Sequence, residues 1–237
     1  INLSLGAAPT QSYKDDPICL AVERAAKAGI VVVASAGNFG QTPDGKLVYG
    51  SITSPGISPF AITVGALRTN GTLDRSDDEV APWSSKGPTL VDHLVKPDLV
   101  APGSKIVSAA VASSTLATEH PERFLDGPGA RDYMSLSGTS MAAAVVSGAA
   151  ALVLDGRNNL TPVQVKLVLQ SSAGTVATVN TTGRKAAVRV VSQLSNGDAP
   201  RHGFKCAGRY SCRYHEDRPS AVGPARRWFT WGLARRM

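Results

Sequence analysis

The sequence predicts an α/β fold, with a mainly parallel sheet flanked by helices. Three stretches carry that expectation. Residues 1–38 hold a strand, a helix and a second strand in close succession, which is the spacing of a βαβ unit with parallel strands and a right-handed crossover. Ile30-Val31-Val32-Val33-Ala34 and Phe60-Ala61-Ile62-Thr63-Val64-Gly65-Ala66 are almost wholly apolar runs, as strands covered on both faces require. From Met141 to Leu154 the residues suit a helix, and the apolar ones are not confined to one stripe, which predicts a helix buried on all sides.

Taken in order, Ile1-Asn2-Leu3-Ser4-Leu5 alternates apolar and polar residues, stops at Gly6 and reads as a short strand. Gln11 to Asp15 is polar and loop-like. Asp16-Pro17 opens a helix: the carboxylate can accept from the first free N–H groups, and proline has no N–H to leave unpaired. Ile18, Ala21, Val22, Ala25 and Ala26 recur at helical spacing, and Gly29 closes the helix. Residues 40–59 are rich in Gly, Pro and Ser and read as loop. Trp83-Ser84-Ser85-Lys86-Gly87-Pro88 reads as a turn. Lys96 to Gly103 is a short apolar piece clamped between prolines, and Ile106 to Ala110 reads as a further strand. Residues 113–132 form a surface excursion broken by His120-Pro121 and Gly127-Pro128-Gly129. Thr161-Pro162 starts another helix, with Val163, Val165, Leu167, Val168 and Leu169 on its buried side. Val188-Arg189-Val190-Val191 suits a strand or a helix.

Charge divides the chain. Of the net +7, residues 1–200 contribute nothing, because 16 basic and 16 acidic residues cancel there; residues 201–237 supply the excess with nine basic against two acidic. The globular part therefore lacks the electrostatics of a nucleic-acid partner. Two of the three Trp, two of the three Cys and eight Arg crowd into the end of the chain with no helical or strand period. We read residues 1–197 as one domain and 198–237 as a basic tail, either disordered or read through in a wrong frame. Cys19, Cys206 and Cys212 show neither metal-ligand spacing nor a disulfide framework. About 14 consecutive residues in the apolar run fall short of the roughly 20 of a membrane span. The chain opens at Ile1 inside a strand-like run, which leads us to expect a truncated front.

Two polar groups stand where chemistry can occur. Ser140 lies at the mouth of the apolar helix, beside unpaired N–H groups and the positive end of the helix dipole. A hydroxyl there can attack a carbonyl, and the N–H groups can hold the resulting oxyanion; as a simple cap on a core helix the same residues need no catalysis. Asn38 follows Ser35-Ala36-Gly37 at the carboxyl end of a strand, where open parallel sheets place ligands; Gly37-Asn38 also suits an ordinary turn. Asp77-Asp78-Glu79 could bind a cation or be a solvated loop.

These residues resemble the subtilisin-like serine peptidases (subtilases). Gly138-Thr139-Ser140-Met141-Ala142-Ala143 is similar to the family's nucleophile motif, Ile30 to Asn38 to the strand bearing its oxyanion asparagine, Ile1 to Gly6 to the strand bordering its substrate cleft, and Val100-Ala101-Pro102-Gly103 to a further landmark. The matches keep the family order over about residues 1–195. Ala144 and Val145 replace the Pro-His that many members carry. The resemblance implies a three-layer α/β subtilisin-like fold with its amino-terminal part missing. It implies Ser140 as nucleophile, with Asn38 and the Ser140 N–H as oxyanion donors. It also implies that Ser4, Leu5 and Gly6 pair with an extended polypeptide substrate, and that Ala34, Ser35 and Ala36, continuing into Gly37, wall the specificity pocket; Gly138 and Thr139 flank the nucleophile on the substrate side.

The family's catalytic Asp and His lie ahead of the segment that begins here. None of His93, His120, His202 and His215 stands in the family's HGTH setting. Ser140 is then expected to lack a base, and a serine without one is a poor nucleophile at neutral pH. The reading is a serine endopeptidase fragment, inactive alone, whose partners are an extended polypeptide and the missing amino-terminal half, with no nucleic acid and no membrane. The family implies secretion. No cofactor is expected, no metal ligand is identified, and the calcium that family members use structurally has no recognised site here. The alternative is a non-catalytic subtilase-like scaffold, which would need neither Ser140 nor Asn38. An esterase of another fold lacks its Gly-x-Ser-x-Gly elbow.

Overall fold

The computed structural model describes residues 1–72, 74–125, 133–179, 185–190, 202–206 and 212–216. Strands β1 (Asn2–Leu3), β2 (Val33–Ser35), β3 (Ile62–Arg68) and β5 (Leu99–Pro102) run parallel in that spatial order; β4 (Glu79–Val80) pairs antiparallel with β3. Beyond β5 the sheet continues through β10 (Lys185–Val190), parallel to β5, and ends at β9 (Gly174–Val179), antiparallel to β10. A second, three-stranded antiparallel sheet joins β6 (Ile106–Ala109), β7 (Phe124–Leu125) and β8 (Tyr133–Leu136).

Among the described residues four α-helices accompany the strands, α1 (Pro17–Lys27), α2 (Thr115–Glu119), α3 (Thr139–Gly156) and α4 (Pro162–Ser172), with one 3-10 turn at Pro121–Arg123. Alternation along β2 separates the two faces of the large sheet. Val33 joins Ile62, Val64, Leu99 and Ala101 in a core packed against α3 and α4. Ala34, one residue on, packs instead with Val22 of α1, Val32 and Ala61. Helix, sheet and helix form the three layers, as successive strand residues pointing to opposite faces dictate.

Local signals set the helix ends. Asp16 caps α1, accepting from Ile18 N at 2.9 Å and Cys19 N at 3.0 Å, and Gly29 follows its end with φ +86°. Thr161 and Gln164 form a capping box on α4, with Pro162 in its first turn. Val188 to Val190, compatible with either element in sequence, lies in strand β10.

Several expectations are corrected. Strand β2 is shorter than its apolar run, starting at Val33 with Ile30 exposed, and β3 keeps the seven residues of its run but is shifted two positions on, to Ile62–Arg68. Within the apolar piece clamped between prolines, Leu99–Pro102 is a central strand of the sheet; four residues next to prolines carry too little periodicity to declare a strand. On α4, Val165 and Leu169 are buried, while Val163 and Leu167 are exposed. Helix α3 is longer than its apolar run and is not buried all round. By length and composition alone its 18 residues, at mean hydropathy 1.5, could cross a membrane. In the fold Ala142, Ala143, Val146, Ala150 and Val153 pack on the sheet, while Ala144, Val145 and Ala151 are exposed. An open cavity of about 330 Å³ lies between that side of α3 and β1, lined by Ile1, Ile30, Val31, Ala151 and Leu154 among others.

Part of the segment read as a tail is described. His202–Cys206 pairs antiparallel with Cys212–Glu216 as strands β11 and β12. The remainder of 198–237 lies outside the described residues.

Candidate active site

Helix α3 begins without a cap from its own end. Its N-cap residue is Gly138, which has no side chain, and neither Ser137 nor Thr139 fills that role. The first N–H is satisfied from 101 residues away: Thr139 N donates to Asn38 Oδ1 at 3.0 Å, and the Thr139 hydroxyl donates to the same oxygen at 3.1 Å. That hydroxyl also accepts from Gly37 N at 3.1 Å. Thr139 is fully buried, so the joint between the Asn38 loop and α3 is dry.

With its oxygen committed to the helix, the Asn38 carboxamide turns its NH₂ toward Gly138. A carbon built on Gly138 in the Cβ position would sit 3.5 Å from Asn38 Nδ2 and 3.7 Å from Ser140 N. Met141 N and Ala142 N donate to the Gly138 carbonyl. Among the described residues, neither Ser140 N nor Asn38 Nδ2 has a protein acceptor. Asn38 Nδ2 and Ser140 N, together with Met141 Sδ, thus surround one point beside Gly138, and N–H donors that share a space can stabilise a developing oxyanion.

The half-buried Ser140 hydroxyl points to Ser4, donating to Ser4 O at 3.4 Å; Ser4 Oγ returns a bond to Ser140 O at 2.9 Å. This reciprocal pair joins the end of β1 to the start of α3. Among the described residues no histidine or carboxylate is bonded to the Ser140 hydroxyl. His120 instead faces Glu122, 3.4 Å from Nδ1.

Of the other residues named from sequence, Ser4, Leu5 and Gly6 are exposed just beyond β1. Ala34, Ser35 and Ala36 are buried, and Ser35 Oγ donates to Leu5 O at 3.1 Å, so Ser35 fastens the segment that follows β1. Gly37 sits at φ +105°, and a Cβ there would meet Thr53 Cγ2 at 2.7 Å and Ser85 Oγ at 2.8 Å. Only glycine suits both the conformation and the space. Thr53, Ser84 and Ser85 are buried supports that sequence reasoning passed over. Ser85 N donates to Gly37 O at 2.9 Å and Ser85 Oγ accepts from Phe39 N at 3.1 Å. Ser84 Oγ accepts from Ala66 N at 3.0 Å. In sequence they read as turn serines; no local pattern marks them.

In the acidic stretch, Thr72 Oγ1 donates to Asp77 Oδ2 at 2.7 Å and Glu79 pairs with Arg68 at 3.4 Å. Among the described residues no three His, Cys, Asp or Glu side chains are grouped to hold a metal ion.

The model of the subtilase family matches residues 1–192. The chain belongs to that family. This subtilase chain is 40% identical to the serine protease AprX of Bacillus subtilis (strain 168) over 173 residues, covering 72% of this chain and 37% of AprX. It is 35% identical to subtilisin E of the same organism, covering 73% of this chain and 35% of that protein. Among solved structures it resembles the S41 psychrophilic protease at TM-score 0.56 and 27% identity, covering 79% of this chain and 54% of that one. The subtilase chain therefore spans little more than a third of these two relatives and about half of the solved protease. The family is one of serine-type peptidases, and AprX is a serine protease.

Proposed function

We propose that this chain is the carboxyl-side portion of a serine endopeptidase catalytic domain, carrying the nucleophile and the oxyanion donors. Ser140 Oγ attacks the scissile carbonyl carbon, passing its proton to a histidine supplied from outside this segment. The carbonyl oxygen becomes an oxyanion held by Asn38 Nδ2 and Ser140 N. Collapse expels the amine, which takes the proton from the histidine, and water then releases the acyl group from Ser140. The observation that carries this reading is the convergence of Asn38 Nδ2 and Ser140 N beside Gly138. The substrate is an extended polypeptide lying along Ser4-Leu5-Gly6, as in strand addition. Gly138 and Thr139 border the scissile bond, and Ala34 to Gly37 back the pocket. We assign no metal or cofactor, no nucleic-acid or membrane partner, and an extracellular location, in keeping with the family.

Without a base, Ser140 is inert in the lone chain, because triad members act as a unit. A serine-directed fluorophosphonate should label Ser140 only after an amino-terminal subtilase half bearing Asp and His is added, with Ser140→Ala abolishing the signal. Efficient labelling of the lone chain would refute the missing-base argument. One observation favours the non-catalytic scaffold: the Ser140 hydroxyl is occupied by Ser4 O. No labelling under any combination would support that reading.

A further inference from the structure

Lys86 carries a charge whose surroundings differ from those of an ordinary surface lysine. Its ammonium donates to three backbone carbonyls, Pro82 O at 2.6 Å, Ser84 O at 2.9 Å and Gly40 O at 3.3 Å. An ammonium has three donors, so the cage matches it in number. Among the described residues no carboxylate lies within ion-pair distance of it. Three carbonyl dipoles converging without a cation would repel one another, and a ring of carbonyl oxygens is how proteins replace the hydration shell of a monovalent cation.

The cage closes on the segment that carries Asn38. Gly40 lies two residues beyond it, and a side chain at Gly40 would collide with the Ser84 carbonyl and reach 2.7 Å from Lys86 Nζ. Gly40 N donates to Trp83 O at 2.9 Å, while Lys86 itself is fastened through Lys86 N to Ser51 Oγ at 3.0 Å and Ser51 N to Lys86 O at 3.0 Å. One side of the cage belongs to the Asn38 loop and the other to the 82–86 turn.

We propose that the Lys86 ammonium is a built-in cation occupying a three-carbonyl site, and that this clamp positions the Asn38 loop; emptied of the ammonium, the same site binds a small cation from solution. Lys86 is thus a positioning residue, acting on Asn38 through Gly40. Its bearing on catalysis rests on the role proposed for Asn38, whereas the clamp does not. Each arginine Nη carries only two hydrogens, fixed in the guanidinium plane, so it cannot donate to three carbonyls converging on one nitrogen, and charge alone does not replace lysine.

Amide hydrogen exchange on the 237-residue chain tests this, with the Leu20 amide in α1 as an internal reference. Lys86→Met should raise exchange at Phe39, Gly40 and Ser85 about tenfold or more while leaving Leu20 unchanged. In Lys86→Ala, n-propylammonium, which restores the deleted atoms, or potassium should return those amides toward wild-type protection. Tetramethylammonium, with no N–H and too large for the cage, should not, and Lys86→Arg should remain unprotected. Unchanged exchange in Lys86→Met would overturn the proposal. So would faster exchange throughout the chain without cation-specific recovery, which would make Lys86 a general stabiliser. The experiment needs no catalysis, so it can fail while Ser140 labelling succeeds, or succeed while labelling fails.

Discussion

Asn38 does two jobs with the two ends of one carboxamide. The oxygen caps α3 through Thr139, and the nitrogen faces the space beside Gly138. A substitution can separate them. Asn38→Asp keeps an acceptor for Thr139 N and Thr139 Oγ1 but removes the donor and adds a charge of the wrong sign for an oxyanion. In a complemented, active assembly it should lower turnover by about 10²–10³, the size established for the subtilisin oxyanion asparagine and adopted from it, with little change in KM. The unfolding midpoint should stay near wild type. Turnover within threefold of wild type in steady-state assays would remove Asn38 from the chemistry.

Helix α1 shows how much one side chain does for an element. Asp16 accepts from Ile18 N and Cys19 N and also from Ser54 Oγ at 2.8 Å, so it caps the helix and ties it to the 52–58 loop. Asp16→Ala should cost about 1–2 kcal/mol in chemical denaturation, and Asp16→Asn should recover most of it. Burial pushes the Asp16 carboxyl up, but the bonds from Cys19 N, Ser54 and Ile18 N outweigh it and hold the group below its ordinary value of 3.8. The sign follows: the stabilisation is complete above that ordinary value and fades as pH falls through the lower, folded one. An acid-unfolding midpoint unmoved by Asp16→Ala would contradict this.

Across the whole molecule, β3, β5 and α4 meet at a buried cluster with two ammoniums and one carboxylate. Lys96 Nζ donates to Asp98 Oδ2 and Thr63 Oγ1, each at 2.8 Å, and Lys166 Nζ to Asp98 Oδ1 at 2.7 Å. Burial drives the Lys96 ammonium down to about 8, Asp98 opposing and Lys166 reinforcing the shift. A base with a depressed folded value is penalised while protonated, so the penalty is present below pH 8 and is relieved as pH rises toward the ordinary 10.5. This group should therefore make the fold more stable as pH climbs through that window. Lys96→Met, with Asp98 still paired to Lys166, should flatten the rise. Parallel denaturation curves for the two proteins below and above the window measure it, and an identical slope would rule the cluster out as its source.

Much of this architecture was legible in the residues themselves. Asp16, Pro17 and Gly29 bounded α1, Thr161 and Pro162 opened α4, and the apolar runs announced β2 and β3, because caps and periodicity act within a few positions along the chain. Tertiary structure alone decided the rest. It put a central strand at Leu99–Pro102, exposed one side of α3, and brought Asn38 to Thr139 and Gly40 to Lys86. Those contacts span 101 and 46 residues, distances over which no local pattern reaches; packing of the layers sets them, and the two N–H donors come to share one space only as a result.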